Sequence, residues 1–121
     1  MKLTVKATHT TLTDPLRDYI RRKLVLPLEK LIDRGAAVPL LNIEIELVTR
    51  HHKQGRIFRA EANLVLGKKV LRAETNGENL YEAIDLLEYE LLHEVRRFKE
   101  KGITKTRKGA HVLKERLRKQ Q

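Results

Sequence analysis

The residues of this chain best equipped for recognition chemistry are its lysines and arginines, which number 26 against 16 acids and give a net charge of +10. The excess is uneven, because residues 99–121 alone contain nine Lys/Arg against two Glu, a net charge of +7. Arginine binds phosphate through paired hydrogen bonds and stacks on bases, so this composition suits a polyanionic partner. The charge pattern predicts nucleic-acid binding, and the alternative is a basic tail that only aids solubility.

Three groups of basic residues are the candidate phosphate contacts, one on each of two predicted helices and one after the second. Two helices packed side by side on a sheet would align the first two groups as a cationic ridge. The alternative is an ordinary solvated helix face, whose acids pair with these residues. The predicted RNA-binding residues are Arg21, Arg22, Lys23, Arg96, Arg97, Lys99, Lys101, Lys105, Arg107 and Lys108.

A further set of basic residues falls on predicted strands and hairpins. We expect these residues to balance Glu44, Glu46 and Glu61 across neighbouring strands instead of binding RNA. The set is Arg50, Lys53, Arg56, Arg59, Lys68 and Lys69.

Catalysis and metal binding have little support in the sequence. The chain contains neither Cys nor Ser, which removes most covalent hydrolase templates and every thiolate metal site. Adjacent His51 and His52 point to opposite faces of an extended chain, and Arg97 stands where a zinc helix starting at His93 needs a second histidine. Glycine-rich phosphate-binding motifs are absent as well. We therefore expect no enzyme activity, no cofactor, no metal and no small-molecule substrate.

Aromatic residues are sparse, which argues against base-specific readout of single-stranded RNA. Phe58 and Phe98 are predicted to belong to the core. Tyr81 begins the second predicted helix beside a cap, and we expect it to pack against the protein more than to stack on a base.

Four strands are predicted from alternating apolar residues. The pattern covers residues 2–8, 41–50, 58–66 and 70–73, and the last two are joined by the turn Gly67-Lys68-Lys69. Short connections make the last three strands an antiparallel meander. We expect the first strand to pair in parallel with the second, after a helical crossover.

Two helices are predicted from apolar residues spaced three or four apart. The first, capped by Thr13 or Asp14, should be kinked or divided near Leu26 by Pro27. The second follows candidate capping residues in 76–79, and its acids precede its basic residues, as the helix dipole favours.

The element order β-α-β-β-β-α predicts an α+β fold, a two-layer sandwich with two helices on one face of a four-stranded sheet. Residues 1–101 form the predicted domain. Residues 102–121 lose the core periodicity, so we expect a basic C-terminal tail that is mobile or at most a short helix. Neither a membrane-length apolar run nor a signal peptide is present, which favours a cytoplasmic protein without membrane contact.

Several short patterns occur along the chain in this order: Leu12-Thr13 with Leu16, Tyr19 and Ile20, then Ala60-Glu61-Ala62, then Asn79-Leu80-Tyr81 with Ala83-Ile84-Asp85. In these residues the chain resembles the ribosome hibernation factors, small ribosome-associated inhibitors of bacterial translation that were once labelled sigma-factor modulation proteins. The resemblance spans residues 1–101 and depends on the order of several short patterns, none of them specific alone. The family more often has an acid at the position of Asn79.

This resemblance implies an architecture akin to the double-stranded RNA-binding fold. It also implies a translation inhibitor that occupies the messenger and transfer RNA sites of the small ribosomal subunit, with the ribosomal RNA as partner of its basic helical residues. Long members of the family carry a C-terminal domain that pairs ribosomes, and we expect this chain to lack that domain and act as a short form. The alternatives are a general double-stranded RNA-binding module and a protein-interaction regulator.

Overall fold

A computed structural model describes residues 1–32, 38–49 and 55–119 of the chain, with side chains described as far as Lys101. Its elements occur in the predicted β-α-β-β-β-α order, and the first helical segment is divided by a π-helical turn. They are β1 (Lys2–Thr8), α1 (Asp14–Ile20), the π-helical turn (Arg21–Val25), α2 (Leu26–Leu31), β2 (Leu40–Thr49), β3 (Arg56–Leu66), β4 (Lys69–Gly77) and α3 (Leu80–Lys119).

The four strands form one mixed sheet in the order β1-β2-β3-β4. β1 runs parallel to β2, whereas the β2–β3 and β3–β4 pairs are antiparallel, which confirms the predicted crossover and meander. The register aligns Val5 with Ile43, Ile43 with Ala62, and Ala62 with Ala73. Side chains alternate between the two faces of a strand, so this apolar row lies on the face that the helices cover.

The first helical segment shows how Pro27 is accommodated. Its buried residues Leu16, Ile20, Leu24 and Leu28 recur every four positions. In a regular α-helix, a residue four positions further along the chain lies about 40° further around the helix axis. Over the three steps from Leu16, the side chain of Leu28 would therefore turn away from the core. The π-helical turn is wider and accommodates an extra residue, so the four buried residues continue to face the core. Regular α-helix resumes at Leu26, next to Pro27, which has no N–H to donate. The predicted division near Leu26 is confirmed.

Capping and a close backbone approach fix the start of α3. The Asn79 side-chain oxygen accepts a hydrogen bond from the N–H of Glu82 at 2.8 Å, which confirms a cap within residues 76–79. The buried Thr75 hydroxyl donates to the Ala83 carbonyl at 2.7 Å and ties β4 to the first turn of the helix. A Cβ atom on Gly77 would lie 2.7 Å from the backbone nitrogen of Ala83, so only glycine fits between strand and helix.

Substituting Gly77→Ala should therefore destabilise the protein by about 1–3 kcal/mol, because the added methyl meets backbone and not a movable side chain. Urea unfolding followed by circular dichroism measures the change. Gly67→Asn is the matched control, since that glycine has φ +60° and open space, a conformation that Asn tolerates. Equal losses in the two variants would contradict the proposed clash.

Helix α3 is longer than the sequence analysis predicts, since it continues to Lys119 instead of ending near residue 101. The reason is that residues 102–119 contain no proline and many good helix formers. Each of the two glycines costs only about 1 kcal/mol relative to alanine, which does not end a helix. The domain boundary after residue 101 stays a prediction.

Phe98 does not belong to the core, contrary to prediction, because the residue is 36% exposed and Val95 is the last buried residue of α3 among the described side chains. At 40 residues α3 extends about 60 Å, whereas the 11 residues of β3 extend only about 36 Å. The helix therefore runs past the sheet. Phe58 is only half-buried and lies outside the buried core as well.

Within the described ranges, no helix is both long enough and apolar enough to cross a membrane.

Candidate nucleic-acid interface

The arginines on the open face of the sheet are occupied by glutamates. Arg59 lies 3.2 Å from a carboxylate oxygen of Glu46 and 2.6 Å from one of Glu74, and it also pairs with Glu61. The hydrogen bond to Glu74, aided by the negative charges of Glu74 and Glu61, raises the pKa of the guanidinium against the opposing effect of burial. These cross-strand pairs confirm that Arg59 balances the strand glutamates.

Glu61 is an unusual residue for an outer sheet face, because only 6% of it is exposed. Burial acts to raise its pKa, but hydrogen bonds from Arg72 and Asn63 and the charges of Arg72 and Arg59 outweigh burial and lower the pKa below its ordinary value. The Arg72 Nε atom lies 3.0 Å from the carboxylate. This side chain therefore stays ionised, with both neighbouring arginines directed towards it.

Charge is balanced across the described part of the open face. The register places Lys6, Glu44, Glu61 and Glu74 in one row from β1 to β4, with the other described charged residues on either side of it. Since equal numbers of basic and acidic residues meet there, this part of the face carries no net charge to attract a polyanion. The basic members are Lys2, Lys6, Arg59 and Arg72, and the acidic members are Glu44, Glu46, Glu61 and Glu74.

On the opposite face of the sheet, the first helical segment and α3 run in parallel. The Tyr19 and Tyr81 rings meet near the start of both helices, with centroids 4.9 Å apart. Further along, the Lys99 ammonium donates to the Leu31 carbonyl at 2.6 Å. This bond satisfies a carbonyl at the C-terminal end of α2, where helices lack internal partners and a positive charge is favourable.

Five residues form a polar and aromatic contact between the helices, the tyrosine cluster: Tyr19, Arg22, Lys23, Tyr81 and Asp85. The two rings meet edge to face, at 70°. The Tyr19 hydroxyl donates to Asp85, whose carboxylate also lies 3.8 Å from the Lys23 ammonium. The guanidinium carbon of Arg22 lies 5.3 Å from the Tyr19 ring centroid, within cation–π range. Tyr81 therefore packs against the protein, as the sequence predicts.

The hydrogen bond to Asp85, together with burial, raises the pKa of the Tyr19 hydroxyl to about 12. The hydroxyl consequently keeps its proton at neutral pH and remains a donor. Asp85 is thereby occupied from two sides, by a hydroxyl and by an ammonium group. The carboxylate has less capacity to repel an approaching phosphate than an unpaired acid would have.

The predicted RNA-binding residues occupy different environments in the helical layer. Arg21 and Arg22 are exposed on the π-helical turn, and Arg96 and Lys101 are exposed on α3. Arg97 is also exposed and lies 3.4 Å from Glu94 on its own helix. Lys23 and Lys99 are half-buried and bind within the protein.

Along α3, the two basic groups of the helical layer are separated. Lys23 meets the helix at Asp85, and the 11 positions from there to Arg96 correspond to about 16 Å of helix axis. The side chains of Lys105, Arg107 and Lys108 lie outside the described residues, as do Arg50, His51, His52 and Lys53. Across the described part of the chain, no three His, Asp or Glu side chains are grouped to hold a metal ion.

Charge is segregated along α3. Residues 80–95 contain five acids and no Lys or Arg, whereas residues 96–119 contain eleven Lys/Arg and two acids. The acidic half packs on the sheet, and the change of sign falls where the buried stripe ends at Val95. Among the described side chains, the basic residues of α3 therefore follow its last buried residue.

One exposed aromatic pair was not predicted from the sequence. Tyr89 and His93 stack on α3 with ring centroids 6.5 Å apart and planes within 5° of parallel. Their spacing of four residues on a helix is the signal that could have revealed the pair.

The parallel helices over one face of a mixed four-stranded sheet define a small α+β sandwich, and the excess of positive charge is concentrated in residues 96–119 of α3. Residues 3–102 match the family described as Sigma 54 modulation protein / S30EA ribosomal protein, and the chain belongs to this family. The resemblance stated from the sequence is thus confirmed.

Similar proteins agree with this assignment. The ribosome hibernation promotion factor of Picosynechococcus sp. is 28% identical over 106 residues, which cover 87% of this chain and 52% of that protein. The chain therefore spans about half the length of this curated relative. The N-terminal domain of Thermus thermophilus Protein Y is 25% identical with a TM-score of 0.61, over 81% of this chain and 99% of that one. A ribosomal subunit interface protein from Coxiella burnetii, at 18% identity and a TM-score of 0.65, shares the fold over 83% of this chain and 99% of that one.

Proposed function

We propose that this protein is a ribosome-binding hibernation factor that silences translation by occupying the messenger and transfer RNA sites of the small subunit. The observation that carries the proposal is the family match over residues 3–102. The name of the Picosynechococcus relative, ribosome hibernation promotion factor, agrees with it.

The basic residues that remain available support the helical layer as the surface that binds ribosomal RNA. The described part of the open sheet face is neutral, and its arginines already pair with glutamates. By contrast, Arg21, Arg96 and Lys101 are exposed on the helical layer and have no acidic partner among the described side chains, so they can bind phosphate without breaking an ion pair. Phosphate contacts release condensed counterions, and this release supplies most of the sequence-independent affinity for RNA.

The proposed mechanism is competitive occlusion. A compact domain held by several phosphate contacts excludes the RNAs that normally occupy the same site, and no bond is made or broken. Arg21, Arg22, Arg96, Arg97 and Lys101 are the proposed phosphate contacts among the described side chains. Lys23 and Lys99 contribute by holding the two helices in position.

Sedimentation tests the proposal. The protein should travel with purified small ribosomal subunits through a sucrose cushion, and an excess of free duplex RNA should not displace it. Binding should weaken steeply with salt, because each phosphate contact contributes about 0.7 to 0.9 to the log–log slope. Displacement by duplex RNA would indicate a general double-stranded RNA-binding module instead. Binding that is insensitive to salt would indicate a protein-interaction regulator.

A further inference from the structure

The stacked pair Tyr89–His93 has no evident role in folding. The Tyr89 side chain is 71% exposed, and His93 is exposed as well. The buried stripe of α3 passes through Leu87, Leu91 and Val95, on the other side of the helix. Because both aromatic side chains are exposed, they gain little free energy from burial in this protein. Their two nearly parallel rings are therefore available to a ligand.

The charges around the pair are mixed, because Asp85 precedes it, exposed Glu90 lies between its two members, and Arg96 and Arg97 lie on its C-terminal side. Arg96 and Arg97 follow His93 by three and four residues, which places them one turn along the helix beside the pair. Among the described side chains, Arg96 has no acidic partner, whereas Arg97 is 3.4 Å from Glu94. Asp85, one turn before Tyr89, is occupied by the Tyr19 hydroxyl and the Lys23 ammonium.

We infer that Tyr89 and His93 form a stacking platform for an unpaired base of RNA, with Arg96 binding an adjacent phosphate. This inference rests on the proposed RNA-binding function and adds to it a second kind of contact, one that does not depend on charge. Tyrosine and histidine rings both stack on bases that are splayed out of single strands. Such stacking is tolerant of sequence, because every base has a π-face.

Loss of the stacking platform should weaken RNA binding without changing its salt dependence, whereas loss of a phosphate contact changes both. The double variant Tyr89→Ala/His93→Ala should bind a single-stranded RNA oligonucleotide about 5- to 150-fold more weakly than the parent protein. Its log–log salt slope should stay unchanged, because neither substitution removes a charge that contacts phosphate. Fluorescence anisotropy of a labelled oligonucleotide across a salt series measures both quantities, and the same series is repeated with small ribosomal subunits.

Two single variants separate the loss of a stacking ring from the loss of a hydroxyl or of apolar surface. Tyr89→Phe keeps the ring and should bind within about twofold of the parent, since stacking does not need the hydroxyl. Leu86→Ala removes an apolar side chain that is 43% exposed on the same helix but has no π-face, and it should leave binding unchanged. All these positions are exposed, and an unchanged thermal midpoint will verify that each variant folds.

The platform is overturned if the double variant binds single-stranded RNA as tightly as the parent, if Leu86→Ala causes an equal loss, or if the parent does not bind the oligonucleotide. The proposed function fails separately, if the parent protein does not sediment with small subunits. The oligonucleotide series then still decides whether the platform exists.

Discussion

Replacing Arg96, Arg97 and Lys101 together by glutamine is expected to lower the log–log salt slope of small-subunit binding by about 2 to 3. At 0.1 M salt this corresponds to a loss of affinity of about 100-fold or more, because parent and variant converge near 1 M salt. The three side chains are exposed on the basic half of α3. Glutamine is a good helix former, so the helix itself should persist.

Lys99 is left intact in this variant, since its ammonium donates to the Leu31 carbonyl at 2.6 Å and its loss would disturb the packing of the helices. The matched control is Lys6→Gln/Lys68→Gln/Lys69→Gln, which removes the same charge from β1, the β3–β4 turn and the first position of β4. The control should keep most of the affinity and slope. Similar losses in both variants would indicate a diffuse effect of net charge and would contradict a binding surface on the helical layer.

The substitution Leu91→Ala should reduce the free energy of unfolding by about 2–5 kcal/mol. Leu91 is fully buried at 0% exposure, in the stripe by which α3 packs on the sheet. Truncation removes apolar contacts and leaves a cavity that the surrounding backbone fills only in part. Urea denaturation measures the loss, with the parent and variant curves fitted to one common value of m, the dependence of the unfolding free energy on urea concentration.

Leu86→Ala on the same helix is the control, because this leucine is 43% exposed and its truncation opens no cavity. Its effect should stay within about 0.5 kcal/mol, as is usual for surface positions. A loss at Leu91 no larger than the loss at Leu86 would show that α3 does not pack on the sheet as described.

The elements and their order follow from patterns within each segment of the sequence. The alternation of apolar residues with a period of two predicts each strand independently of its surroundings. The predicted strands form the observed sheet of one parallel and two antiparallel pairs. Thr13 and Asn79 act within their own helix termini, where side chains reach backbone N–H groups three residues away. Pro27 acts on its own turn. All these effects are local, which is why pattern and residue type suffice to predict them.

Which basic residues remain available to a partner depends on how the helices and strands pack together. Lys99 and Arg96 look alike in sequence, but the parallel packing of the helices brings the Leu31 carbonyl to Lys99 and not to Arg96. Glu61 alternates like a solvent-facing residue, yet arginines from β3 and β4 cover it. Phe98 continues the apolar stripe, although the sheet ends before the helix does. Each outcome depends on a contact between residues distant in the chain, and periodicity carries no information about such contacts because it describes each segment alone.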